Sequence, residues 1–272
     1  MLSVLPFDPL DAVSAARRAD IGALLDTIAR EEDIRILLAV ESGSRAWGFH
    51  SPDSDYDVRF IYARRTDDYL VLVPPRDVIE RPIENDLDVG GWDVAKALKL
   101  VSRGNAVVSE WLSSPIVYAE AVGFRPLFEG LSRDWQQVHG DIAHYYGLAR
   151  RQWGTFIEGR DQVRLKKYFY VIRPAVALNW LREGHVGPPP MSLPQLLHDV
   201  RLPEATAEAL IELRARKAAA GETVGMGPRI SAIDDYVRDQ MTWALAHKPR
   251  QPRRDAALWT RTEATFRRLI GA

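Results

Sequence analysis

GSRAWGFHSPDSDYDV, residues 43–58, is the stretch on which the reading of this chain turns. Its last residues begin an alternation that runs to residue 62: Tyr56, Val58, Phe60 and Tyr62 on one side, Asp55, Asp57, Arg59 and Ile61 on the other. That is the pattern of a β-strand with a buried face. Residues two apart on a strand share a side, so Asp55 and Asp57 set two carboxylates next to each other. Like charges that close repel unless a cation lies between them. Hard oxygen donors in that arrangement suit Mg²⁺ or Mn²⁺, ions that also bind substrate phosphates.

Upstream, Ile34-Arg35-Ile36-Leu37-Leu38-Ala39-Val40 is short, aliphatic and β-branched, as a buried strand is. Gly43 and Ser44 follow it and precede a short helix. A glycine there lets backbone N–H groups approach a phosphate, and the serine hydroxyl adds a donor. Arg45 has two readings, a charge-assisted contact to a triphosphate or a surface pairing with Asp53. Trp47 and Phe49 read as packing residues and His50 as a loop hydrogen-bonder. Strand, Gly-Ser loop and a second strand bearing Asp-x-Asp together make up the parts needed to transfer a nucleotidyl group.

Outward from this centre, residues 11–31 show helical spacing at Val13, Ala16, Ile21, Leu24, Leu25 and Ile28. Val71-Leu72-Val73, Val78-Ile79 and Leu87-Asp88-Val89 are short strand candidates. Asp93 reads as the N-cap of a helix beginning at Val94. Beyond residue 130 helical periodicity dominates, broken at Gly184–Pro190 and Gly221–Pro228. The expected division is an α/β catalytic domain over residues 1–130 and a helical domain over residues 131–272. Within the latter, residues 150–182 combine eight arginines and lysines with Tyr168, Phe169, Tyr170 and Trp180. Lys167 is a candidate to reach a triphosphate and Tyr168 to stack on a base, and such a helix would suit an RNA end.

Formal net charge is −1, so no global basic field points to nucleic acid. The absence of cysteine excludes disulfides and thiolate metal sites and fits a reducing compartment. The opening MLSVLPFDPLDAV lacks the layout of a secretory signal, and no apolar run is long enough to span a bilayer. A cytoplasmic chain with no membrane partner is expected.

Gly43-Ser44 followed eleven residues later by Asp55-x-Asp57 resembles the signature of the polymerase-β-like nucleotidyltransferase superfamily. The fuller string GSRAWGFHSPDSDYDVRF is similar to the RlaP-type subgroup, nucleotidyltransferases associated with RNA ligase and RNA repair. LDVGGWDVAKALKL (87–100), GNAVVSEWLSSPIVY (104–118) and KKYFYVIRPAVALNW (166–180) resemble it too. The resemblance implies an α+β fold, a mixed sheet with flanking helices, followed by a helical domain. It implies metal held by Asp55 and Asp57, and NTP phosphates held by Gly43 and Ser44. It also implies a third carboxylate on a later strand, to align or deprotonate the attacking hydroxyl. Asp88 fits that place best. Asp93, in Trp92-Asp93-Val94, is the rival, although a helix cap already explains it. The implied reaction moves NMP from an NTP to a hydroxyl and releases pyrophosphate, with two metal ions about 3.5–4 Å apart. An RNA 3′ end is the expected acceptor. AMPylation of a protein, a small-molecule acceptor and a non-catalytic nucleotide- or RNA-binding module are the alternatives.

Overall fold

A computed structural model describes residues 8–9, 11–139, 141–220, 225–247 and 255–272. The opening heptapeptide and residues 221–224, on which parts of the sequence reading fall, lie outside the described residues. The fold is mixed α and β, and the chain divides into two compact units. The sheet unit comprises Asp8–Ala46, Asp55–His139 and the described residues from 255 on. The helical unit comprises Trp47–Ser54 and the described residues from 141 to 247. Neither unit is continuous, in contrast to a single cut at residue 130.

The sheet unit begins with helix α1 (Ala15–Glu31), capped by Ser14, whose hydroxyl accepts from Arg17 N. Ile21, Leu25 and Ile28 of α1 are buried at helical spacing. Burying each contributes roughly 1.5–3 kcal/mol. Strand β1 (Arg35–Ser42) leads into the short helix α2 (Ser44–Trp47), and β2 (Tyr56–Ala63) follows. Then come β3 (Val78–Glu80), β4 (Leu87–Asp93), α3 (Val94–Val101), α4 (Ala106–Leu112), β5 (Val117–Glu120) and α5 (Phe124–His139). The strands form one mixed sheet in the order β3-β4-β2-β1-β5.

Alternation along β2 divides the core. Val58, Phe60 and Tyr62 pack with Ile21, Leu25 and Ile28 on one face. Ile61 and Ala63 pack on the other, with Val94, Leu98, Trp111, Phe128 and Trp135. The C-terminal helix α11 (Ala256–Ile270) joins this second core through Leu258 and Leu269. Trp135 Nε1 donates to Thr262 Oγ1 at 3.0 Å, and Arg261 pairs with Asp134 at 2.6 Å. A segment expected among the helices of the second half is therefore part of the sheet unit. Val71-Leu72-Val73 is not a strand; it is an irregular segment in which Leu72 and Val73 are exposed.

Only one pairing in the sheet is parallel, that of β2 with β4, and it sets Asp57 opposite Asp88 and Tyr62 opposite Asp93. β4 starts from a turn in which Asn85 and Asp86 take positive φ of 50° and 62°. Asn and Asp adopt that conformation more readily than other non-glycine residues.

The helical unit contains α6 (Ile142–Phe156), α7 (Lys167–Arg182), α8 (Leu193–Asp199), α9 (Glu204–Ala220) and α10 (Ser231–His247). A two-stranded ribbon, β6 (Gln162–Arg164) with β7 (Met226–Pro228), completes it.

Asp93 caps α3 as its sequence position suggests: Oδ1 accepts from Ala95 N at 2.7 Å and Oδ2 from the Tyr69 hydroxyl at 2.9 Å. Replacing it by Ala removes the cap and leaves Tyr69 without its acceptor. Urea unfolding should show Asp93→Ala about 1–2 kcal/mol less stable. A variant as stable as the parent would show that the cap does not hold this end of the sheet.

Candidate functional site

Glu41, Asp57, Arg59 and Asp88 stand toward one end of β1, β2 and β4. Gly43, directly after β1, has φ +93°, a conformation that suits glycine. It is also crowded. A Cβ at residue 43 would lie 2.0 Å from Asp57 Oδ2 and 2.7 Å from its Cγ. Only a residue without a side chain allows the Asp57 carboxylate to rest against the loop backbone. Ser44, next in line, is nearly buried, and Asp55, just before β2, is exposed.

Asp57 and Asp88 are brought together by a residue that the motif did not suggest. Arg59 Nη2 lies 2.8 Å from Asp88 Oδ2 and 3.3 Å from Asp57 Oδ1. Its Nη1 donates to the backbone oxygens of Asp88 at 2.7 Å and Val58 at 3.0 Å. The guanidinium is thus fixed by main chain as well as by carboxylates. Asp93 sits at the opposite end of β4, five residues from Asp88, with its oxygens engaged as described above. Of the two rivals for the third carboxylate, Asp88 is the one beside Asp57.

A second unforeseen residue is Glu41, fully buried on β1. Its Oε1 accepts from Asp57 N at 2.8 Å, and its Oε2 accepts from the Tyr118 hydroxyl. Burial pushes the Glu41 carboxyl up to about 7, against the lowering effect of those two hydrogen bonds. Burial also pushes Asp57 up to about 6; Arg59 opposes the rise, and the neighbouring Asp88 and Asp55 add to it. Among the described residues, no three His, Asp or Glu stand close enough to form a ready-made metal cluster.

Signals for these residues differ in strength. Arg59 was readable, since it shares a strand side with Asp57 two residues on. Glu41 continues the aliphatic run of β1, but its charge reads as the start of a turn. Tyr118 lies on β5, the strand at the edge of the sheet, and has no local signal.

Other expected site residues lie elsewhere. Arg45 is buried: its Nη1 donates to Ala12 O at 2.7 Å and its Nε to Asp55 O at 3.2 Å. Its guanidinium lies 3.9 Å from the Tyr56 ring centre. These bonds tie the segment before α1 to the start of β2, so Arg45 braces the loop and does not reach out to a phosphate. Tyr168 is completely buried in the helical unit. Its hydroxyl donates to Asp234 Oδ1 at 3.0 Å and accepts from Ile230 N at 2.9 Å. A ring so enclosed is a core element and offers no face to a base. Lys167 stays in the same unit, its ammonium 4.5 Å from the ring centres of Phe156 and Tyr170. Phe49 stacks on Phe169 at 4.9 Å and Trp47 meets Tyr170 edge-on at 5.6 Å, which is packing as expected.

The raised Glu41 carboxyl has a thermodynamic consequence. Between about pH 4.5 and 7 the folded chain keeps a proton at Glu41 that the unfolded chain has released. The folded state then binds more protons, so stability falls as pH rises through that window. Urea unfolding without added metal should show this fall; Glu41→Gln should remove its upper part and leave the fall below about pH 6 that the raised Asp57 carboxyl contributes. An equally steep fall in the variant would mean that another group is responsible.

Comparison with known proteins adds the family. Residues 18–268 match the RlaP family, described as the RNA repair pathway DNA polymerase beta family. The chain is 40% identical over 224 residues to a Bacillus subtilis (strain 168) protein called "Uncharacterized protein YcgL", with 80% of this chain and 84% of that one covered. Among solved structures, a nucleotidyltransferase-like protein from Exiguobacterium sibiricum 255-15 aligns over 92% of this chain and 90% of its own. Its identity is 12% and its TM-score 0.31, a likeness too loose to bear on the site. The family match spans nearly the whole length, and the chain belongs to the RNA repair pathway DNA polymerase beta family.

Proposed function

We propose that this protein transfers NMP from an NTP to a hydroxyl at the end of an RNA, with Asp55, Asp57 and Asp88 as the working carboxylates. The single observation that carries the reading is the meeting of Gly43, Asp57 and Asp88 at one end of the sheet. The glycine is required by the aspartate that rests on it, and the second aspartate stands on the adjacent strand. Polymerase-β-type family membership supports nucleotidyl transfer as the reaction class.

The residues suit a divalent cation. Every donor is a carboxylate oxygen, and Asp57 carries a pKa raised first by burial and then by its acidic neighbours Asp88 and Asp55. Mg²⁺ commonly takes one or two carboxylates and completes its shell with substrate phosphates and water. The lack of a three-residue cluster is compatible with that mode. Asp55 and Asp57 would hold the ion, which supplies charge stabilisation to the phosphoryl oxygens when bound. Gly43 N–H and the Ser44 hydroxyl would take the β- and γ-phosphate oxygens. Arg59 keeps Asp88 oriented by donating from Nη2 to its Oδ2 at 2.8 Å and from Nη1 to its Oδ1 at 3.2 Å. Asp88 would then accept the proton of the attacking hydroxyl. A bond forms from that oxygen to the α-phosphorus, the bond to the bridging oxygen breaks, and pyrophosphate departs. All the groups named stand in the sheet unit, so the proposal does not depend on Lys167 or the basic segment of the helical unit.

The test is an incubation with α-labelled NTPs, Mg²⁺ or Mn²⁺ and short RNAs. Wild type should label RNA. Asp57→Ala should lose all labelling while keeping its circular dichroism spectrum, and Asp88→Asn should lose at least about a hundredfold. Asp93→Asn, altered only at the helix cap, should retain transfer when assayed below its melting temperature. Full activity in Asp57→Ala would sink the proposal, and label on protein instead of RNA would replace the acceptor.

A further inference from the structure

Beside Asp88 lies a pocket of about 380 Å³ that the chemistry above does not use. We infer that it receives the terminal nucleobase of the acceptor RNA, stacked on the Trp92–Trp111 wall while the ribose hydroxyl reaches Asp88. The inference rests on the transferase reading and adds to it the place and chemical class of the acceptor.

The pocket follows from strand geometry. Asp88, Gly90 and Trp92 alternate onto one face of β4, and Arg59 stands opposite Gly90 on β2. From Asp88 to Trp92 is four residues, about 13 Å along the strand. At the far end Trp92 lies against Trp111, ring centres 4.2 Å apart and planes inclined by 33°. The volume falls within the range of small-ligand pockets, and the lining sets Trp92 and Trp111 beside the charged Arg59, Arg81, Asp88 and Glu80, the last paired with Arg76 at 2.5 Å.

Gly90 is the telling residue. Its neighbour Gly91 must be glycine, since a Cβ there would lie 2.2 Å from Phe60 Cε2. Gly90 has no such need. A Cβ on it would meet nothing closer than Ile79 O at 3.8 Å and Arg59 Nη1 at 3.9 Å, and its φ is not positive. Neither packing nor backbone geometry calls for a missing side chain here. What glycine provides is open floor between Asp88 and the tryptophans.

The charges select the occupant. Arg59 is held by Asp57 and Asp88, and Arg81 at the rim is held by Glu31 at 2.7 Å and Glu32 at 3.3 Å. Both cations already have carboxylate partners, so the pocket favours an uncharged planar group over a phosphate. A nucleobase is such a group, and stacking on an aromatic side chain is worth about 1–3 kcal/mol per base. A tyrosyl peptide is the competing planar hydroxyl donor, and the family's description favours RNA.

The test measures binding of a fluorescent oligoadenylate with a free 3′-hydroxyl to the full chain, by polarisation. Gly90→Val fills the floor and Trp92→Phe reduces the stacking surface while retaining an aromatic. Binding of ATP with Mn²⁺ and the melting temperature are measured on each protein. Gly90→Val should weaken oligoadenylate binding at least about tenfold, and Trp92→Phe by less, with ATP binding unchanged. Equal oligoadenylate binding by wild type and Gly90→Val overturns the inference, as does a tyrosyl peptide that binds wild type and is excluded by Gly90→Val when the RNA is not. Loss of ATP binding in every protein, wild type included, with the RNA difference intact, would instead count against the transferase reading and leave the pocket assigned.

Discussion

Asp57 Oδ2 occupies the place where a side chain on residue 43 would begin, 2.0 Å from the ideal Cβ position. Much of the site depends on that proximity. It requires glycine after β1, it presses the loop backbone against a carboxylate, and it fixes how β1 and β2 meet. Glu41 completes the brace from beneath by accepting the Asp57 N–H at 2.8 Å. Since Glu41 is itself buried and bonded to Tyr118, the aspartate is held from three strands of the sheet. A carboxylate so confined has little freedom to turn away from its neighbours, and preorganisation of that kind is what charge stabilisation in a transition state requires.

Arg59 sets the electrostatic balance. Two backbone oxygens hold its guanidinium where Asp57 and Asp88 converge, which keeps two like charges on adjacent strands without mutual expulsion. Burial still pushes Asp57 up to about 6 against that cation, with Asp88 and Asp55 adding to the rise. A second positive charge at the exposed Asp55 side would relieve it. The same guanidinium forms one side of the pocket that leads to Trp92, so one residue separates the carboxylate end from the aromatic end of β4.

The motif residues were legible because strand alternation is a strong, local rule. The buried strand before Gly43 and the helix cap at Asp93 follow from period and capping chemistry, and both are found, while β2 carries Asp57 but begins at Tyr56, one residue after Asp55. The mixed α and β class was legible for the same reason. What local pattern could not supply depended on distance in sequence. The parallel pairing that puts Asp88 beside Asp57 spans a long connection that no local pattern encodes. Tyr168 looked like a base-stacking residue because its neighbours are basic; only tertiary packing reveals that Asp234 and Ile230 claim its hydroxyl. Arg45 read as a phosphate contact or a surface partner of Asp53 because nothing nearby in sequence announces the Ala12 carbonyl. Val71-Leu72-Val73 has strand composition yet is left exposed, since no strand lies alongside to pair with it.

The central claim is that the braced Asp57 carboxylate holds a divalent cation together with the phosphates of an NTP. Its most direct test is electron paramagnetic resonance of Mn²⁺, titrated into the full chain with a non-hydrolysable ATP analogue. The free-ion signal should fall on addition of wild-type protein and analogue, and should stay undiminished with Asp57→Asn, whose circular dichroism matches the parent. Equal loss of the free-ion signal with both proteins would contradict the account.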